Sequence, residues 1–211
     1  IAANPRHGSG RVFALSVGVA DYERIGSLNL TDQDALKLTQ TLASTGMLAD
    51  QSVTLVNSDA TRENFIAAVQ QIAASIGPDD LFLLFFSGHG GKQDAESFME
   101  QDGSSETIEL FDAAITDFEL SRMIEPIRAR TLLVLDSCFS GGFDDLINAR
   151  VGRMGVFSSD SDLTSLVADK FEAGGYISHI LQQAMEGRAD ANADMAITAG
   201  ELSEYMRTTF Y

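Results

Sequence analysis

Short runs of consecutive apolar residues alternate along this chain with longer stretches whose apolar residues recur every three to four positions. Residues 11–19 (RVFALSVGV), 52–56 (SVTLV), 81–86 (LFLLFF) and 131–135 (TLLVL) are runs of the first kind, with a shorter one at 155–157 (GVF). LFLLFF and TLLVL lack polar alternation, which is the pattern of parallel strands covered on both faces. The stretch opening at Thr31 carries Ala35, Leu36, Leu38 and Leu42, and 61–76 places Phe65, Ile66, Val69, Ile72, Ala73 and Ile76 on one face. Both read as amphipathic helices, as do 117–127, 175–185 and 198–208. Gly77-Pro78-Asp79-Asp80 is a break before LFLLFF, and the acidic stretch 93–112 reads as a loop. Strands alternating with helices predict an α/β fold, a mostly parallel central sheet flanked by helices.

Length and composition narrow the function. At 211 residues and 45% hydrophobic content, the chain can bury one sizeable core. A single domain over 11–211 is expected, with 1–10 as an amino-terminal extension, and a monomer. Fourteen Lys and Arg face 31 Asp and Glu, a formal charge of −17. That charge repels phosphate backbones and anionic lipid, so neither nucleic acid nor membrane is an expected partner and a basic peptide or protein is. No apolar run is long enough to span a bilayer. The chain starts at Ile1 without a Met, which fits a removed signal or a trimmed segment, and the compartment is not legible.

Two central strand runs end alike. LFLLFF leads into Ser87-Gly88-His89-Gly90-Gly91, and TLLVL into Asp136-Ser137-Cys138-Phe139-Ser140-Gly141-Gly142. In open α/β sheets the chemistry gathers at the carboxyl ends of strands. A histidine and the lone cysteine are therefore expected at one edge, each followed by glycine. A lone cysteine is more often a small buried hydrophobe than a nucleophile, and a lone histidine more often a satisfied polar residue. Neither bland reading explains why both fall at glycine-flanked strand ends. A nearby imidazole and inward-pointing N–H groups would make the thiol a working nucleophile. His7 lies in the amino-terminal stretch, and His179 shares a face with Gln182, Gln183 and Glu186, so it reads as solvent-facing.

Phe86-Ser87-Gly88-His89-Gly90, followed 138 − 89 = 49 residues later by the Asp-Ser-Cys-Phe-Ser-Gly-Gly run, resembles the caspase-like cysteine peptidases, in particular metacaspases and their bacterial relatives. The likeness covers residues 11 to about 185. It implies a caspase-like three-layer sandwich, His89 as general base, Cys138 as nucleophile, and an oxyanion hole from the N–H groups of Gly88 and Cys138. Caspases that cut after aspartate carry Gln two residues before the nucleophile, where this chain has Asp136. The resemblance to metacaspases, which cut after Arg or Lys, implies a pocket of Asp34, Asp136 and Ser87, able to hold a guanidinium. Thr31 stands where the family often has cysteine. Thr31-Asp32-Gln33-Asp34 also matches a helix amino terminus, so Asp32 is assigned to the cap and Asp34 to the pocket.

Calcium is the expected cofactor. The resemblance to calcium-dependent metacaspases implies an ion held by Asp102, Asp117 and Asp145, with Phe118 standing where a second acid is often found. Independently, residues 190–201 (DANADMAITAGE) place Asp190, Asn192, Asp194, Thr198 and Glu201 at EF-hand positions 1, 3, 5, 9 and 12. Met195 replaces the glycine of position 6, and a left-handed turn there costs about 1 kcal/mol. An acidic connector capping the last helix at Thr198 fits the same residues. The sequence thus predicts an Arg- or Lys-directed cysteine endopeptidase activated by calcium. Two alternatives stay open: a non-catalytic calcium-responsive binding module on the same scaffold, and an Asp-specific peptidase. Arg150 and Arg153, in the segment after the nucleophile, are the expected self-processing points.

Overall fold

The computed structural model describes residues 10–94, 104–159 and 174–210. Its core is a five-stranded parallel sheet made of β1 (Val12–Gly18), β2 (Val53–Val56), β3 (Leu81–Ser87), β7 (Arg130–Asp136) and β8 (Arg153–Phe157). The strand order is β2-β1-β3-β7-β8. Every neighbouring pair is parallel, so the crossovers must run over the faces, and helices fill them. α1 (Thr31–Ser44), α5 (Tyr176–Gln183) and α6 (Ala199–Phe210) cover one face; α2 (Arg62–Ala73), α3 (Asp117–Ile124) and the short α4 (Asp144–Asn148) cover the other. The result is the helix-flanked parallel sheet expected from the alternating pattern, arranged as the three-layer sandwich that the family resemblance implies.

The two-residue period of each strand sorts its side chains between two cores. Phe13, Leu15, Val17, Phe82, Leu84, Phe86, Leu133 and Leu135 pack with Phe65, Val69, Ile72, Leu120 and Ile124 beneath α2 and α3. Ala14, Leu83, Phe85, Leu132 and Val134 pack with Leu38, Leu42, Ile180 and Leu181 beneath α1 and α5. The uninterrupted apolar runs are explained by this double coverage. Carried one step further, the same alternation delivers Ser87 and Asp136, the last residues of β3 and β7, to the α1 and α5 face.

Two expectations are corrected. The acidic stretch 93–112 is not a plain loop: β4 (Gly90–Asp94), β5 (Ser104–Glu109) and β6 (Ala114–Thr116) form a second, antiparallel sheet in the order β4-β5-β6. Among the described residues it is Ile108, Leu110 and Ile115 that commit it to the core, too few apolar positions for an alternation to be legible. At α1, Asp32 does not cap. The N-cap is Leu30 in the left-handed region (φ 66°), with no side-chain cap bond. Thr31 Oγ1 instead donates to the Val19 carbonyl at 2.6 Å, and Asp32 Oδ2 accepts from Asn57 at 3.2 Å. Among the described residues, no helix is long and apolar enough to cross a membrane.

Candidate active site

β3 and β7 are neighbours, in register from Leu81 opposite Arg130 to Ser87 opposite Asp136. His89 and Cys138 therefore each lie two residues beyond the same paired couple. The two exit turns touch: a Cβ at Gly90 would fall on the Cys138 carbonyl oxygen. Glycine is required there because the backbones approach too closely for any side chain. His89 and Cys138 are both half-buried, the latter a free thiol, and the residue after it, Phe139, turns left-handed (φ 57°) into a 3₁₀ turn over Ser140–Phe143.

The loop after β1, which carries no motif legible in the sequence, borders His89. The ring nitrogen Nε2 of the histidine lies 2.8 Å from the Gly26 carbonyl oxygen. A carbonyl only accepts, so Nε2 carries the proton and Nδ1 is left as the basic nitrogen. The Tyr22 hydroxyl accepts the His89 backbone N–H at 2.7 Å, and the two rings are 5.0 Å apart at 46°.

The expected oxyanion donor Gly88 is committed elsewhere: its N–H is donated to the Asp136 carbonyl at 3.3 Å, bridging β3 and β7. The next glycine is differently placed. Glu109 N–H donates to the His89 carbonyl at 2.9 Å, and Gly90 pairs with Ile108. Bonded and non-bonded pairs alternate along an antiparallel ladder, so the Gly90 N–H faces away from β5. The glycine following His89 is visible in the sequence; its role depends on strand pairing, which is not.

Asp34, Ser87 and Asp136, far apart in sequence, are brought together on the α1 and α5 face. Ser87 Oγ donates to Asp34 Oδ2 at 3.0 Å. Asp34 also accepts from Gly174 N–H at 3.1 Å and Gly175 N–H at 3.3 Å. Asp136 Oδ2 accepts from both the Ser178 amide and hydroxyl, at the amino terminus of α5. All three are buried, at 5%, 0% and 4% exposure in that order. Burial pushes the Asp34 carboxyl up to about 6; the Gly174 amide opposes this and the charge of Asp136 adds to it. Gly175 lies against Asp136 with no room for a Cβ. Gly174, Gly175 and Ser178 carry no sequence signal for this role, since only the packing of α5 against β7 makes them neighbours of the acids.

The metal expectations are less concentrated. Asp102 lies outside the described residues. Asp117 is buried at the start of α3, whereas Asp145 is exposed on α4. In the 190–201 segment, Asp190 accepts from the amides of Asp194 and Met195, and Asp194 from that of Ala196. Met195 takes the left-handed conformation (φ 67°) at the position where an EF-hand has glycine. Glu201 bonds the Thr198 amide at 2.9 Å and its hydroxyl at 2.8 Å, which is also the capping arrangement for α6. Among the described residues, no group of three or more His, Cys, Asp or Glu side chains gathers as a metal cluster.

Comparison with known proteins settles the family. The caspase-domain profile matches residues 11–205. The chain belongs to the caspase-domain family of cysteine-type peptidases. Within that family it is similar to Metacaspase-1 of Mycosarcoma maydis, 31% identical over 150 residues, covering 65% of this chain and 37% of the relative. It is also similar to Metacaspase-1 of Candida albicans (27% over 156 residues, 65% and 35%) and Metacaspase-1B of Neurospora crassa (28% over 152 residues, 65% and 36%). The caspase domain described here thus spans little more than a third of these relatives' length. Its fold matches the crystal structure of protein GSU0716 from Geobacter sulfurreducens, with a TM-score of 0.72 at 21% identity, over 94% of this chain and 89% of that one.

Proposed function

We propose that the protein is a cysteine endopeptidase that cleaves after Arg or Lys, using Cys138 as nucleophile and His89 as base. The observation that carries the specificity is the gathering of two buried carboxylates, Asp34 and Asp136, beside the strands that end in the dyad. An Asp side chain entering there would meet two like charges, whereas a guanidinium would meet two counter-charges. The acids lie beneath Gly174 and Gly175, so a basic side chain reaches them as those glycines yield and takes over their hydrogen bonds.

The chemistry follows from the tautomer. His89 Nδ1 takes the Cys138 thiol proton while Nε2–H stays on the Gly26 carbonyl. The sulfur attacks the scissile carbonyl carbon, and the carbonyl π electrons move onto oxygen. The Cys138 N–H is one donor to that oxyanion. Gly90 N–H is the better partner for it than Gly88 N–H, which would first have to leave the Asp136 carbonyl. Collapse breaks the C–N bond, and the amine leaves with the proton held on Nδ1. Water then attacks the thioester, giving its proton back through His89, and releases the acid and the thiol.

Calcium belongs to this proposal as an activator. Asp190, Asn192, Asp194, Thr198 and Glu201 offer the oxygen donors a hard cation takes, and the left-handed Met195 suits the loop. Because those donors do not converge here, no catalytic step is assigned to the ion. Hydrolysis of Arg-ended against Asp-ended fluorogenic peptides, with calcium or EDTA, tests the whole reading. Arg peptides should be cleaved and Cys138→Ala should be inactive. Cleavage after Asp would overturn the pocket, and no hydrolysis of either would favour the binding module.

A further inference from the structure

The loop joining β1 to α1 holds His89 at three points, two of them on one side chain. The chain leaves β3 at Ser87 and enters β4 at Gly90, so Gly88 and His89 alone make the link. On that link, the His89 carbonyl accepts from Glu109 N–H at 2.9 Å, and the His89 N–H is donated to the Tyr22 hydroxyl at 2.7 Å. The Tyr22 ring lies 5.0 Å from the imidazole, while Gly26 of the same loop accepts from Nε2. Tyr22 is itself anchored. Asn57 Oδ1 accepts from the amides of Ala20 and Asp21 at 2.8 and 3.0 Å, and Leu28 N–H closes the loop on the Ala20 carbonyl at 2.8 Å. The ring packs against the core beneath α2 and α3.

A second feature depends on the same hydroxyl. A Cβ at Gly88 would fall on Tyr22 Oη. The glycine before the histidine is thus accounted for by the room that this phenol and the Phe86 ring occupy. Burial holds the phenol far above its ordinary range, with the charge of Glu109 adding to that, so it remains a neutral hydroxyl wherever the enzyme works.

We infer that Tyr22 is a positioning residue for the catalytic base: its hydroxyl fixes the His89 backbone and its ring fixes the imidazole plane, so that Nδ1 is presented to the Cys138 thiol. The inference rests on the assignment of His89 as base. It differs from plain core packing, because the contact is made to the main chain and ring of the reacting residue. Misplacement of a catalytic group by about 1 Å can lower turnover on the order of 100-fold, so a lost anchor should read out mainly in kcat.

The test compares Tyr22→Phe, Tyr22→Leu and His89→Ala in the full chain, by steady-state hydrolysis of an Arg peptide and by iodoacetamide alkylation of Cys138 as a function of pH. Tyr22→Phe keeps the ring and should lower kcat roughly tenfold with KM within about twofold. Its alkylation at a fixed neutral pH should slow, because the base that draws the proton from the sulfur is no longer held in place. Tyr22→Leu, lacking ring and hydroxyl, should fall further on both measures, and Tyr22→Phe decides the question if Tyr22→Leu folds poorly. A Tyr22→Phe protein with wild-type kcat and alkylation profile, whatever its melting temperature, would overturn the inference while leaving an inactive His89→Ala in place. An active His89→Ala would instead sink the assignment of the base itself.

Discussion

The amide and the hydroxyl of Ser178 both donate to the same oxygen of Asp136, Oδ2, each at 2.7 Å. One carboxylate at the end of β7 is thereby tied to the amino terminus of α5, where the helix dipole also favours negative charge. Hydrogen bonds to charged groups contribute about 2 kcal/mol. Ser178→Ala should therefore destabilise the fold by about that amount in urea titration and lower kcat/KM for Arg peptides roughly tenfold, as Asp136 loses its fixed orientation. Unchanged stability would show that the amide alone holds the acid.

The Asp34 carboxyl, raised by burial from 3.8 to about 6, sets a pH dependence with a definite sign. Between about 4 and 6 the folded state binds a proton that the unfolded state has released, so stability falls as pH rises through that window. The groups facing Asp34 are Asp136, the Ser87 and Ser178 hydroxyls and the amides of Gly174 and Gly175. Asp34→Asn should flatten the stability curve over this range. It should also remove an acid limb near 6 from kcat/KM for Arg peptides, at a lower absolute rate. Persistence of the limb in Asp34→Asn would show that it does not arise from this carboxyl.

Gly90→Ala places a Cβ on the Cys138 carbonyl. Overpacking of this kind costs about 1–3 kcal/mol, and the displacement of the nucleophile turn should lower kcat on the order of 100-fold. The variant is expected to stay folded by circular dichroism while losing hydrolysis. Retained turnover would mean that the turns are not held as closely as they lie here.

Arg150 and Arg153, in the segment between Cys138 and the end of β8, are not equivalent. Arg153 begins β8, paired with Thr131, and its guanidinium donates to the Leu146 carbonyl at 2.8 Å. Arg150 donates to the carbonyls of Ile127 and Arg128, but the next residue, Val151, is fully exposed, and Gly152 turns at φ 91°. Self-processing, where it occurs, should cut after Arg150. Intact mass after incubation with calcium would show this, absent in Cys138→Ala; a cut after Arg153 would require β8 to peel away first.

Met195 holds a left-handed conformation that costs a side chain about 1 kcal/mol. Met195→Gly should raise the melting temperature in EDTA and, if the loop takes calcium, enlarge the stabilisation that added calcium produces. A calcium response equal in Met195→Gly and in Glu201→Gln would place the ion elsewhere.

The runs LFLLFF and TLLVL were sufficient by themselves to determine a doubly covered parallel sheet, because residues buried on both faces leave no polar alternation. The placement of the glycine-flanked His89 and Cys138 at neighbouring strand ends was legible for a related reason: strand ends are local features, marked where an apolar run gives way to glycine. Asp34 and Asp136 were named through the resemblance to metacaspases, yet their burial, and the proton affinity that follows from it, arose only when α1 and α5 closed over β3 and β7. Tyr22, Gly26 and Ser178 left no trace in the pattern. Each acts through a contact with a residue between 42 and 67 positions away. Hydrophobic period reports which face of an element is buried, and carries no information about which distant backbone group a buried polar atom will meet. That partner was decided by tertiary packing alone.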